Sequence, residues 1–199
     1  MLLVISHPRS VPNEASVINR LFDAGLPLLH IRKPESPLKE VALLLREIDP
    51  VHYPKIALHQ HHDIAGDFGI GRLHYTEAAR KALSGETLAK QRAEYIVSTS
   101  VHSLTDYQDL TEYFDYAFLS PVFNSISKPG YQAQAFHLKK SDKKPYTSLI
   151  ALGGIDEHNC RKAYEMGYDG VAVLGAVWNT DNALSAFKAI HDKCPTTDR

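Results

Sequence analysis

Six of the eleven histidines in this 199-residue chain, His30, His59, His61, His62, His74 and His102, stand at or just past the ends of short apolar runs. Imidazole exchanges protons near neutral pH and binds metals in its neutral form, so acid–base work and metal-assisted hydrolysis are the chemistries such positions admit. No His-x-His pair follows the first apolar run and no carboxylate pair follows the later ones, so a zinc centre is not expected. The commoner role for a histidine so placed is a hydrogen bond or a stacking surface. A second group is cationic: Arg32 with Lys33, and Lys128 further on. Arginine offers a planar fork of donors and lysine a point charge, and both suit a diphosphate. A third group is backbone. Gly153 and Gly154 follow one apolar run directly, and Leu174 and Gly175 close another. Glycines there let amide groups approach an anion without interference from a Cβ. Ser98 and Ser100 read as hydrogen-bonding residues, since neither a GxSxG elbow nor a P-loop is present.

What must position these groups is a regular alternation of elements. Strand-type runs occur at 2–5, 28–32, 55–59, 72–75, 94–98, 116–119, 148–152 and 170–174. Helical patterns lie between them. Ile18, Leu21 and Phe22 form one apolar face, with Asn13 as an expected cap and Gly25 as the stop. Leu38, Val41, Ala42 and Leu45 form the next. A further helix is expected over 76–83, a capping box at Ser103 to Asp106, a helix from Asp156 that buries Cys160, Ala163 and Tyr164, and a last one carrying Ala183, Leu184, Phe187 and Ile190. The connector 63–68 reads as short and weakly helical. Eight β/α units predict an α/β fold, a (β/α)8 TIM barrel, as a single domain over 1–199. An open doubly wound sheet is the alternative, weakened by the lack of GxGxxG after the first strand. The stretch 120–135 has no period and carries Pro121, Pro129 and Gly130, which reads as a binding loop.

Lys and Arg number 22 against 23 Asp and Glu, a formal charge of −1, which argues against a nucleic-acid partner. No apolar run reaches the roughly 20 residues of a membrane span. The opening residues lack the basic lead of a signal peptide. Cys160 and Cys194 form no CxxC pair and read as free thiols, so a cytoplasmic location is expected. A homo-oligomer is left open.

Several segments, in this order, resemble the thiamine phosphate synthase and TenI-type thiazole tautomerase family. Tyr116, Ala117, Phe118, Leu119, Ser120, Pro121, Val122 and Phe123, with Ser125, Ile126, Ser127 and Lys128 after them, are similar to the loop after strand six. Ile150 to Ile155, with Asn159, is similar to the AIGGI segment, and Gly170 to Val177 to the closing phosphate segment. The resemblance implies a barrel of thiamine assembly whose partners are a phosphorylated thiazole and a pyrimidine-methyl diphosphate. By position it implies that Gly153, Gly154, Leu174 and Gly175 hold a phosphate and that Arg32 and Lys128 act on the diphosphate. Ser100 would sit beside the pyrimidine, and Ser125 and Ser127 would line the loop over the site. His30, Lys33 and His59 are further candidates for substrate binding and His102 for catalysis.

The chain departs from the family pattern where magnesium is expected. The strand-two signature QxRxK reads His30, Arg32, Lys33; the Asn-Asp after strand three reads His59, Gln60; and Ala79 stands at the second metal-binding Asp. Magnesium needs hard oxygen ligands, so its binding is expected to be severely weakened. Pro121 occupies the tautomerase's histidine position, so His30, His59 or His102 would have to take over its acid–base role. Three readings follow from the resemblance: a synthase with an altered diphosphate site, a thiazole phosphate tautomerase, and a non-catalytic binder of thiazole or thiamine phosphate.

Overall fold

The structure, a computed structural model, describes residues 1–124 and 137–195. Eight parallel strands close in sequence order: β1 Leu2–Ile5, β2 Leu29–Ile31, β3 Ile56–Leu58, β4 Arg72–Tyr75, β5 Ile96–Val101, β6 Tyr116–Leu119, β7 Ser148–Leu152 and β8 Gly170–Val173. The helices are α1 Glu14–Asp23, α2 Leu38–Glu47, α3 Glu77–Ala82, α4 Gly85–Glu94, α5 Leu104–Gln108, α6 Cys160–Glu165, α7 Gly175–Trp178 and α8 Ala183–Lys193. The barrel closes through β1 and β8, paired Leu2↔Val171 to Val4↔Val173, with the Val171 amide donating to the Met1 carbonyl at 2.9 Å. The expected (β/α)8 barrel is therefore the observed fold.

Apolar strands follow from burial on both faces. Outward side chains such as Leu2, Val4, Leu29, Ile31, Leu58, Leu73 and Val97 share one apolar cluster with the helix residues Ile18, Leu21, Val41, Leu45, Leu88, Phe187 and Ile190. The inward residues Leu3, Ile5, Leu28, Ala57, Tyr116, Phe118, Ile150 and Ala172 form a smaller core within the barrel. Inward positions of β2 to β5 then turn polar: His30, His74 and Ser98 are buried without being apolar.

The structure departs from the sequence expectations at the first helix cap and after α3. Asn13 sits in the left-handed region at φ 57° and its side chain does not cap α1; the carboxylate of Glu14 is committed elsewhere, as described below. The region after α3 is a second helix, α4, capped by Ser84, whose hydroxyl accepts from the Thr87 amide at 3.1 Å. Strand alternation does not carry on to His61 and His62, because β3 ends at Leu58. His61 adopts φ 55° and bonds the Ser36 carbonyl, while His62 bonds the carbonyl of Leu58. Of the expected capping box the Ser103 half forms: Ser103 Oγ accepts from the Asp106 amide at 3.0 Å, while the Asp106 carboxylate takes the Ser103 hydroxyl at 2.6 Å instead of the Ser103 amide.

Candidate functional site

The C-terminal ends of the strands surround one mouth, and strand parity decides which side chains reach it. On β2, His30 points inward and Ile31 outward. The next inward position is Arg32. Its guanidinium is half-buried and makes no bond or ion pair among the described residues, and its charge bears on His59 and His74. Lys33 is the next outward position and goes the other way. It is 2% exposed and its ammonium donates to both Glu14 carboxylate oxygens at 2.7 and 2.6 Å and to the carbonyls of His7 and Arg9 at 2.7 and 2.8 Å. Three N–H groups facing four acceptors leave nothing for a ligand. The expectation that Lys33 binds substrate is thus corrected: it is half of a buried ion pair that ties β2 to α1.

His30 is corrected in the same way. It is fully buried, with Nδ1 2.9 Å from His59 Nε2 and Nε2 2.9 Å from the Tyr116 hydroxyl. Both ring nitrogens are spent inside the protein, so His30 supports the site from beneath and does not touch a ligand. His59, at the end of β3, is the half-buried member of the group. Its ring stacks on His74 at 4.0 Å between centroids and 25° between planes, and His74 stacks in turn on Phe118 at 4.9 Å. His74 Nδ1 lies 2.9 Å from Ser98 Oγ and its Nε2 lies 3.0 Å from Ser100 Oγ. Ser100 thus sits at the mouth, with its hydroxyl committed to His74. Burial comes first in pushing these imidazoles below the usual histidine range, His30 and His59 well below it and His74 to about 3. The rings also repel one another's charge.

His102 lies on the rim, away from this cluster. It is largely exposed, with Nδ1 2.9 Å from the Ser120 carbonyl and Nε2 3.7 Å from the Glu77 carboxylate. On the opposite wall, Gly153 and Gly154 follow β7 at φ 94° and 66°. The chain leaving β6 lies directly over them: Val122 and Phe123 amides donate to the Leu152 and Gly153 carbonyls, both at 3.0 Å. A Cβ on Gly154 would stand 2.6 Å from the carbonyl oxygens of Phe123 and Asn124. These glycines therefore have a packing reason as well as a binding one. The amides of Gly154, Gly175 and Ala176 donate to no acceptor among the described residues. They belong to neighbouring strand ends, since Leu152 pairs with Ala172. Leu174 caps α7, its carbonyl taking the Val177 and Trp178 amides. Ser125, Ser127 and Lys128 lie outside the described residues.

Sequence reasoning missed Tyr116 and Phe118 as parts of the site. Parity would have found them, since they alternate inward on a strand whose partners carry Ser98 and Ser100. It would also have separated Arg32 from Lys33.

Fold and site define a (β/α)8 barrel whose polar side chains, and amides without an acceptor among the described residues, gather where its strands end, the usual active face of such barrels. The family model described as thiamine monophosphate synthase matches residues 2–177, and the chain belongs to that family. The crystal structure of thiamine phosphate pyrophosphorylase from Bacteroides thetaiotaomicron superposes with a TM-score of 0.77 at 26% identity, covering 96% of both chains. Thiamine-phosphate synthase of Clostridium acetobutylicum is 23% identical over 184 residues, 88% of this chain and 84% of its own. Among the first curated relatives the match spans about half of their length: 51% for the Lysinibacillus sphaericus synthase, at 30% identity over 109 residues, and 52% for that of Gloeobacter violaceus, at 24% over 189.

Proposed function

We propose that this barrel binds phosphorylated heteroaromatic intermediates of thiamine assembly. In this reading it joins a thiazole phosphate to a pyrimidine-methyl diphosphate and releases pyrophosphate. The observation that carries the reading is the pairing of amides at Gly154, Gly175 and Ala176 with a guanidinium at Arg32, all without partners among the described residues, within a chain of this family. The amides take the thiazole phosphate, with Gly153 and Leu174 shaping the two junctions. Arg32 meets the diphosphate. As the C–O bond to the diphosphate breaks, charge collects on the leaving group, and a fixed cation in a water-poor site stabilises it most at that moment. Lys128 also holds the diphosphate in this reading, and Ser125 and Ser127 line the loop over the site. Ser100 lines the pyrimidine.

Magnesium does not fit the residues present. His59 and Gln60 follow β3 and Ala79 lies in α3. The Glu77 carboxylate is engaged by Lys81, and Asp63 lies in the turn after β3. Neutral imidazole nitrogens are poor ligands for a hard cation that wants oxygen, so no step is routed through it. Incubating the protein with both substrates, with and without magnesium, and measuring thiamine phosphate by thiochrome fluorescence tests the reading. Product formation in both arms is expected; no product at saturating substrate overturns it.

A second reading is favoured by the same imidazole-rich mouth: a thiazole phosphate tautomerase, which needs the phosphate grip and no metal. Its signature is solvent deuterium entering the thiazole ring in the absence of the pyrimidine substrate, and a ring that stays unlabelled removes it.

A further inference from the structure

A file of hydrogen bonds runs from Tyr116 through His30 to His59, and its protons can be placed. The Tyr116 hydroxyl is 3% exposed, so its hydrogen needs an acceptor within the protein. The Arg72 guanidinium, which only donates, bears on the phenol oxygen. Ser98 beside it gives its own hydrogen to the Leu73 carbonyl at 3.2 Å. Ser98 Oγ can also accept, but it takes a ring N–H from His74 at 2.9 Å; the nearest acceptor for the Tyr116 O–H is His30 Nε2, 2.9 Å away. A neutral imidazole carries one N–H. His30 must then hold its proton on Nδ1 and give it to His59 Nε2 at 2.9 Å. His59 in turn holds its proton on Nδ1, the nitrogen that has no partner among the described residues. The tautomer of His74 is fixed separately, with Nδ1–H to Ser98 Oγ and the Ser100 hydroxyl to Nε2. The ring plane of His59 is set by its stack on His74.

We infer that His59 is a catalytic residue of this site, a neutral imidazole whose Nδ1–H donates to the substrate oxygen that gathers negative charge, while His30 and Tyr116 are positioning residues that fix its tautomer. The reaction it serves is the one assigned above; the tautomer does not depend on it. The groups bearing on His59 are His30 and Arg32 from β2, His62 from the turn after β3 and His74 from β4, with no carboxylate among them. Burial and these neighbours suppress the imidazolium, so the ring stabilises charge as a donor without giving up a proton, a role neutral histidines fill in other barrel enzymes.

The same trio invites a metal, since nitrogens of His30, His59 and His74 lie within 4.8 Å of one another. The geometry disfavours it. A metal lies near the plane of each ring that binds it, whereas His59 and His74 are face to face. Every ring nitrogen of the trio except His59 Nδ1 already has a hydrogen-bond partner.

The test is nitrogen-15 NMR of the histidine-labelled protein, with kinetics alongside. His59 is expected to show a protonated Nδ1 and a bare Nε2, unchanged from roughly pH 8 to roughly pH 5, and Tyr116→Phe is expected to mix the tautomers of His30 and His59. A protonated Nε2 on His59, an imidazolium by about pH 6, or added Zn2+ shifting all three rings together overturns the assignment. In the assay, His59→Leu is expected to lower kcat by about 10²–10³ with KM little changed, and His59→Gln, which keeps an N–H donor, to recover part of that loss. Equal kcat in His59→Leu and the wild type overturns the donor role. A wild type that makes no thiamine phosphate overturns the reaction assigned above, and the nitrogen shifts still decide the tautomer.

Discussion

Two neighbouring cations, Arg32 and Lys33, have opposite fates because a strand sends successive side chains to opposite faces. Arg32 faces the mouth with no partner for its guanidinium among the described residues, whereas Lys33 is enclosed with Glu14. Burial raises the Glu14 pKa and outweighs the lowering by Lys33, so the pair is held at a desolvation cost and losing one member strands the other. Lys33→Ala is expected to cost about 3–5 kcal/mol of unfolding free energy at neutral pH. Without its lysine, Glu14 takes up a proton more readily in the folded state than in the unfolded one. The gap between variant and wild type should therefore narrow as pH falls toward the raised Glu14 pKa. Arg32→Ala is expected to leave stability within about 0.5 kcal/mol while lowering kcat by about 10² or more. Urea unfolding of both variants at two pH values, with the coupling assay, checks the contrast; similar stability losses in the two would refute it.

At the scale of elements, the junction after β7 is where packing and binding meet. Gly154 combines φ 66° with carbonyl oxygens 2.6 Å from a would-be Cβ, so Gly154→Ala must both strain its own backbone and push away the chain leaving β6. A loss of about 1–3 kcal/mol is expected, with weaker binding of thiazole phosphate by calorimetry; unchanged affinity would leave the glycine a packing role alone. This junction was legible in the sequence, as were the eight strands, the Gly25 stop and the Ser103 cap. Each is written in a local pattern of apolar runs, glycines or caps. α4 was not, because Leu88 is its one buried residue and a helix without an apolar stripe leaves no period to read. The sequence carried only its cap, Ser84 with Thr87. The partners of Lys33 and His30 were not legible either. Glu14 and Tyr116 stand 19 and 86 positions away, and only closure of the barrel brings them together.

At the scale of the whole molecule, a barrel that fills part of its interior with neutral imidazoles ties its stability to pH. His30 and His74 are fully enclosed and held below the usual histidine value of 6.5, His74 at about 3. In the unfolded chain both take up protons as pH falls through 6.5; in the folded one they do not. The unfolded state then binds more protons, so stability rises with pH across that range and drains away below it. These two groups alone give a slope of about 3 kcal/mol per pH unit once both are charged in the unfolded chain, and His59, also held well below the usual value, adds to it. Glu14 works against this, since its raised pKa means the folded state holds the extra proton above 4.5, but it offers at most one proton against two. The expected outcome is a cooperative acid transition beginning below about pH 6, accompanied by net proton uptake. Replacing His74 by Gln should remove about one proton from that uptake, whichever way the absolute stability of the variant moves. Unfolding free energies measured by denaturant between neutral and mildly acid pH give the slope directly. A slope near zero in the wild type, or one unchanged in His74→Gln, would mean that the enclosed rings accept protons in the folded barrel, and the fixed neutral tautomers on which the His59 donor depends would fall with it.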